Sequence, residues 1–243
     1  MTESLILILI AAFAALSSFV QRVTGFGFGI VMMTMLPYVM PSYGEATALS
    51  GMLAACMAVV PAVQKRRHVH LKKLLPILLT FLVLSFFSVK LLTVIDGHSL
   101  KRLFGVALIL VSIYLFFFND KVRLKPTLPV QISLGALSGA LGGMFAMQGP
   151  PAVVYFMASS ESKDEYIAAT QWYFVTGNLM MTLFRWRSGF VTQPVLESAL
   201  TALPAVALGL WIGARVYSRL HNDHLRKIVY IFLALAGVVS VVL

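Results

Sequence analysis

The sequence predicts an all-α polytopic membrane protein made of two homologous halves. Three observations carry that reading. The 243-residue chain is 59% hydrophobic and only 12% charged, about half the charged fraction of a soluble domain. Its apolar runs approach the length of a bilayer span, about 17–25 residues. A Gly-rich interruption occurs twice, each time in the middle of the long apolar stretch that opens a half.

The first interruption reads Gln21-Arg22-Val23-Thr24-Gly25-Phe26-Gly27-Phe28-Gly29, the second Gly142-Gly143-Met144-Phe145-Ala146-Met147-Gln148-Gly149-Pro150-Pro151. Helix-breaking residues at corresponding positions of two halves point to a transporter's binding site. Unwound backbone at membrane depth persists only where it is buried in protein or lines a cavity. Each opening stretch is also too long for a single span. Ser4 to Gly44 is 41 residues interrupted only by Arg22, about 60 Å as one helix and twice the hydrocarbon thickness. Leu128 to Ser160 is 33 uncharged residues, about 50 Å if helical. Each must fold back on itself or cross twice. Six further runs read as spans: Ala46–Val63, Leu74–Val89, Leu103–Phe118, Tyr166–Phe184, Ser198–Ala214 and Ile228–Leu243. Met1-Thr2-Glu3 lacks the basic start of a cleavable signal, so the first segment is expected to stay in the protein.

The halves align weakly but in consistent order. Gly29 matches Gly149 and Glu45 matches Glu165; Leu100-Lys101-Arg102 matches Leu225-Arg226-Lys227; Lys90 falls opposite Arg215. Residues 1–118 form the N-terminal repeat, 119–127 the polar linker and 128–243 the C-terminal repeat of one integral membrane domain. Positive charge then bears on how the opening stretches run. If each is a re-entrant hairpin, each half adds three full spans and the repeats are inverted. One face then holds thirteen cations: Lys65, Arg66, Arg67, Lys72, Lys73, Lys121, Arg123, Lys125, Lys163, Arg215, Arg219, Arg226 and Lys227. The other holds five: Lys90, Lys101, Arg102, Arg185 and Arg187. The alternative of eight full spans divides the charges ten to eight. The positive-inside rule favours the lopsided split, with the thirteen-charge face cytoplasmic. The same placement in short loops explains the net charge of +10 without invoking nucleic acid.

Candidate site residues cluster at the interruptions. Arg22 lies within an apolar stretch, and its guanidinium matches the oxygens of a carboxylate, sulfonate or phosphate. Two readings of it stand open: an intramembrane charge that serves function, or a residue at the end of a first span that snorkels to the surface. Gln21, Thr24, Gly25, Gly27 and Gly29 in the first break, and Gln148, Gly149 and Pro150 in the second, bring backbone and side-chain polar groups within reach of a ligand. A helix restarting near Phe28 would direct its positive end to the same place, and Pro150-Pro151 suit the first turn of a new helix. In the most polar span, Gln171 and Asn178 are seven residues apart and share a face; they are candidate donors to substrate, or interhelical hydrogen-bonding residues. Glu45 and Glu165 fit helix N-termini. No Asp or Glu lies deep in a span, which argues against a carboxylate proton relay. His68 and His70 read as loop residues, and Cys56 as a small core residue. No metal site and no cofactor is expected.

The order of these motifs resembles the TauE/SafE family, also called TSUP. The resemblance is carried by Thr24-Gly25-Phe26-Gly27-Phe28-Gly29 followed by Pro37, by Gly142-Gly143 with Gln148-Gly149-Pro150-Pro151 and Tyr155, and by Arg187-Ser188-Gly189-Phe190-Val191. The first half departs at Arg67-His68-Val69, where a Gly is usual, and the second has Gly-Pro-Pro in place of three glycines. The resemblance implies a multi-pass protein of the bacterial inner membrane that moves a small anion such as sulfite or an organosulfonate, usually outward. The expected function is a secondary transporter working by alternating access between the two breaks. An anion channel, an intramembrane enzyme or a membrane adaptor are the alternatives. The spans lack the acid pairs and His ligands an enzyme would need. The expected partners are a small anion and the lipid bilayer, and the small-residue face Gly209/Gly213 permits a homodimer.

Overall fold

A computed structural model describes residues 3–118, 124–217 and 222–242. Eleven α-helices follow in order: α1 (Glu3–Thr24), α2 (Phe28–Met33), α3 (Leu36–Val39), α4 (Tyr43–Gln64), α5 (Leu71–Leu91), α6 (Gly97–Phe118), α7 (Leu128–Phe145), α8 (Gly149–Ser159), α9 (Lys163–Arg187), α10 (Gln193–Tyr217) and α11 (Asn222–Val242). There is no strand among the described residues. Among the described residues six helices are long and apolar enough to cross a membrane: α1, α4, α5, α6, α7 and α10. That set differs from the expected one. It includes the first limbs of both opening stretches, because each runs 18 residues or more before breaking. It leaves out α9, whose polar residues lower its hydropathy although it is 25 residues long, and the expected last span, of which only the shorter apolar stretch Ile231–Val242 of α11 is found. Lys121, Arg123, Arg219 and linker residues 119–123 lie outside the described residues.

Every expected span extends beyond its apolar run, because helices continue into charged ends. Two of these ends are built alike. Ser42 and Ser162 adopt extended backbone and accept the amide hydrogens of Glu45 and Glu165, at 3.1 and 3.2 Å. Both glutamates sit three residues past a serine cap, the spacing of a capping box. Ser42 Oγ also donates to Glu45 at 2.9 Å. Thr192, ahead of α10, donates to the other Glu45 oxygen at 2.7 Å, tying the starts of α4 and α10 together. Asp96 caps α6 by accepting the Ser99 amide hydrogen at 2.9 Å, and hydrogen bonds from Ser99 hold its carboxyl below the usual range.

The longest interfaces join opposite halves: α1 with α10, α5 with α7, α4 with α9 and α6 with α11. Glycines set their spacing. On α7, Gly135, Gly139 and Gly143 lie over Ile77, Phe81 and Ser85 of α5, so close that a Cβ on Gly135 or Gly139 would stand 2.6 Å from a backbone carbonyl oxygen. This is the small-xxx-small packing by which membrane helices bring backbones together. Gly209 and Gly213 do the same on α10, over Ala15 and Ser18 and then Phe19 and Arg22 of α1. That face is therefore filled within the chain and offers no dimer surface. Cys56 is exposed on the outside of α4, not in the core. The outer face of α5 presents Leu75, Leu79, Val83 and Phe87 at four-residue intervals, the apolar exterior a lipid-embedded bundle requires.

These contacts fix helix direction. Positions rise together along α1 and α10, and along α7 and α5, so each pair is parallel. Lys65 at the end of α4 pairs with Asp164 at the start of α9 (2.7 Å), so those helices are antiparallel. One end of the bundle gathers the end of α4 and the starts of α5, α7 and α9, with Lys65, Arg66, Arg67, Lys72, Lys73 and Lys163; it is called the basic end below. The first opening stretch begins at the opposite end, rises through α1, breaks, and returns there through α2 and α3. The second begins at the basic end, descends through α7, breaks, and returns through α8.

Lys73 is the main clasp at the basic end. It pairs with Glu165 at 2.8 Å and Glu161 at 3.2 Å. Its carbonyl accepts the Tyr155 hydroxyl at 3.0 Å, and Gln131 donates to that hydroxyl at 2.8 Å. Four helices are thus joined through one residue. Lys73→Met leaves the buried Glu165 without its cation and is expected to cost about 2 kcal/mol, below the range for fully buried pairs. Thermal unfolding in detergent checks this; Lys73→Arg should recover most of the loss.

Candidate functional site

The two breaks are shorter than the sequence indicates. Helix α1 continues through Gln21 to Thr24, and only residues 25–27 are non-helical. Gly25 and Gly27 turn the chain with φ of +88° and +102°, the left-handed region where a side chain is strained. The Phe28 amide donates to Gln21 Oε1 at 2.9 Å, so Gln21 caps the new helix with its oxygen. Thr24 turns inward and its hydroxyl bonds to local carbonyls. In the second half the break spans residues 146–148. Gly142 and Gly143 are not part of it. They lie inside α7, where a Cβ would meet Gln148 and Phe81, or Ser85 and Ser88. Ala146 is the one non-glycine described residue with positive φ, at 54°. Ser138 Oγ donates to the Gln148 carbonyl at 2.6 Å and fixes the turn. Helix α8 then starts at Gly149, with prolines in its first turn as their fixed φ favours.

The breaks touch each other. A Cβ on Gly29 would run into the backbone carbonyl of Ala146, and one on Gly149 would lie 3.4 Å from the Phe26 Cβ. Beside this contact is a cavity of about 730 Å³ that runs to the basic end, where Glu161, Ser162 and Lys163 form its rim. Its size lies in the range of small-molecule sites. Of the residues singled out from sequence, Gln21, Arg22, Thr24, Gly25, Gly27, Gly29, Gln148, Gly149, Gln171 and Asn178 all line it. Pro150 does not; it is buried in the first turn of α8.

Arg22 is placed between the two readings of it. It lies in the last turn of α1, where the helix dipole favours a cation, and it is exposed. Its stem packs over Gly213 near the basic end of α10 while the residue lines the cavity wall. Asn178 is buried and donates to the Phe174 carbonyl at 2.9 Å. The buried Gln148 Oε1 has no hydrogen-bond partner. Pro61 of α4, lacking an N–H, leaves the Met57 carbonyl without its helical donor, and both residues line the cavity. Among the described residues there is no cluster of His, Cys, Asp or Glu able to hold a metal.

Sequence reasoning missed three features. Lys163 adds a cation at the cavity rim, and Glu161 there is held by Lys73. Tyr166 contributes an aromatic wall. The third is Arg185, counted from sequence as a surface charge. It is fully buried, and its Nη2 donates to the carbonyls of Gly142 and Gly143 at 2.9 and 3.2 Å. A signal was present: Gln171, Asn178 and Arg185 stand at seven-residue intervals on one helix, which places all three on one face.

A family model described as Sulfite exporter TauE/SafE matches residues 9–240. The chain belongs to the TauE/SafE family. The match of this TauE/SafE protein runs from within α1 to within α11. It is a multi-pass membrane protein of a transporter family, not an enzyme. No curated protein and no solved structure matches it.

Proposed function

We propose that this TauE/SafE protein is a secondary transporter that exports a small anion, sulfite or an organosulfonate, from a site between the two helix breaks. The observation that carries the proposal is the meeting of the breaks beside a cavity that runs to the basic end. Arg22 and Lys163 bring two cations to that cavity, while Glu161 at its rim is paired with Lys73, and an excess of one sign of charge in a cleft concentrates counter-ions. Gln171, Asn178 and the backbone at Gly25–Gly29 and Gln148–Gly149 supply polar contacts. The two halves, residues 1–118 and 128–243 joined by 119–127, are inverted repeats in this reading, with the basic end cytoplasmic. Opposed hairpins entering from opposite ends support it, and rocking of one repeat against the other would alternate access. In this arrangement the cavity is open to the cytoplasmic side, as the loading state of an exporter must be.

The test is flux in proteoliposomes. A carrier gives slow, saturable movement of a sulfur oxyanion, whereas a channel gives fast, non-saturating conductance. Arg22→Ala and Gln171→Ala are each expected to lower the rate about tenfold or more, equivalent to about 1.4 kcal/mol each. Normal flux in both variants, at normal expression, would remove the site from this account.

A further inference from the structure

The cavity gives a role to the first two residues of the polar stripe on α9 and none to the third. Gln171 and Asn178 line it, whereas Arg185 lies beyond, buried in the half closed toward the opposite end. A guanidinium out of water without a carboxylate carries a large desolvation cost. Among the described residues Arg185 has no ion pair. Its Nη2 is held at the carboxyl end of α7, but Nε and Nη1 have no hydrogen-bond partner, and neither does the buried hydroxyl of Thr182. These groups converge over Gly51 of α4. The point where a Gly51 Cβ would stand is 2.7 Å from Arg185 Nη1, 3.8 Å from Asn178 Oδ1 and 3.9 Å from Thr182 Oγ1. A side chain at Gly51 would displace the guanidinium, so glycine lets Arg185 lie against α4. On the far side, Tyr43 begins α4 two turns before Gly51, toward the opposite end, and its buried hydroxyl is likewise unpartnered. Tyr43 also lines a second cavity, of about 380 Å³, at the opposite end. Phe190 lines that cavity, packs its ring against Gly44, and donates its amide hydrogen to the Arg185 carbonyl at 2.9 Å.

We propose that Arg185, Thr182 and Tyr43 form a second, buried oxyanion site, a way station between the cavity at the helix breaks and the cavity at the opposite end. The partial negative charge at the end of α7 holds the guanidinium, and an oxyanion, which bonds more strongly to it, is the ligand its free N–H groups fit. Asn178 marks the near side of the station and Tyr43 the far side. Phe190 closes the far exit and is coupled to Arg185 through the backbone. The role of this site in transport rests on the function proposed above; its preference for anions does not.

The experiment uses the full-length protein with Cys56→Ala, which removes the single native thiol, and with Thr182→Cys. Two reagents of similar size are compared, the sulfonate-bearing ethyl methanethiosulfonate and its trimethylammonium counterpart, each rate normalised to that for free cysteine. The expected result is labelling at least tenfold faster by the anionic reagent, a bias lost with Arg185→Gln and kept with Arg185→Lys. Equal normalised rates, faster cationic labelling, no labelling by either reagent, or a bias unchanged by Arg185→Gln overturns the site. If neither Arg185 variant folds, the bias with native Arg185 decides. Selective labelling of a protein that moves no anion refutes the transport reading alone; anion flux with unselective labelling refutes this site alone.

Discussion

Gly29→Val is expected to abolish transport while the protein still inserts and purifies. Gly29 sits where the two breaks meet, and any Cβ there enters the space of the Ala146 carbonyl. That neighbour is backbone, held by hydrogen bonds from Ala146 N to Gly142 and from Met147 N to Leu141, so it cannot swing aside as a flexible side chain would. The breaks must then separate by more than an ångström, and misplacement on that scale costs about a hundredfold where geometry carries function. The long interfaces α5 with α7 and α1 with α10 lie elsewhere, so the fold should survive. Flux in proteoliposomes and monodispersity in detergent read the two effects separately. Gly29→Val with normal flux would show that contact between the breaks is dispensable.

The second large effect is on stability. Gly139→Leu should prevent accumulation of folded protein, because the Cβ alone would stand 2.6 Å from the Phe81 carbonyl oxygen and 2.9 Å from the Leu84 Cβ. Overpacking of a core costs about 1–3 kcal/mol where side chains can yield. Here two helix backbones must move apart along the whole α5–α7 interface, so the upper end of that range is the expected minimum. Gly97→Leu is a matched control, since nothing lies within 4 Å of a Cβ there. The yield of monodisperse protein and its unfolding temperature check both.

The breaks were legible in the sequence because Gly and Pro inside apolar runs have few uses at membrane depth. Their extent was not. Gly142 and Gly143 stand beside the second break, but their packing against α5 and Gln148 depends on segments distant in the chain. The same holds for Gly209 and Gly213, whose partner is α1 of the other half rather than a second copy. The polar face of α9 was half read. Gln171 and Asn178 fall inside an apolar run and draw attention, whereas Arg185 follows its end and looks like a surface cation. Helix α9 continues to Arg187, so the end of the apolar run lies within the helix, and Arg185 just past it is buried while Trp186 is exposed. Lys163 and Tyr166 reach the cavity only because α9 packs against α4, which no local pattern reveals.

Arg22 shows how depth depends on helix direction. From sequence two readings of it stand open, an intramembrane charge or the snorkelling end of a first span. Because α1 is one limb of a hairpin, Arg22 stands in its last turn, over Gly213 near the end of α10. An arginine there is exposed and lines the cavity.

The central claim is that an anion binds where the two breaks meet. The most direct measurement is a thermal-shift series on purified protein with sulfite, thiosulfate, sulfoacetate, taurine and simple carboxylates, repeated on Arg22→Ala and Gln171→Ala. A ligand present at a hundred times its dissociation constant stabilises by about 2.7 kcal/mol, or roughly 5–10 °C for a chain of this size. The account predicts such a shift with at least one sulfur oxyanion, and its loss in both variants. No shift with any anion, or a shift that both variants retain, would contradict it.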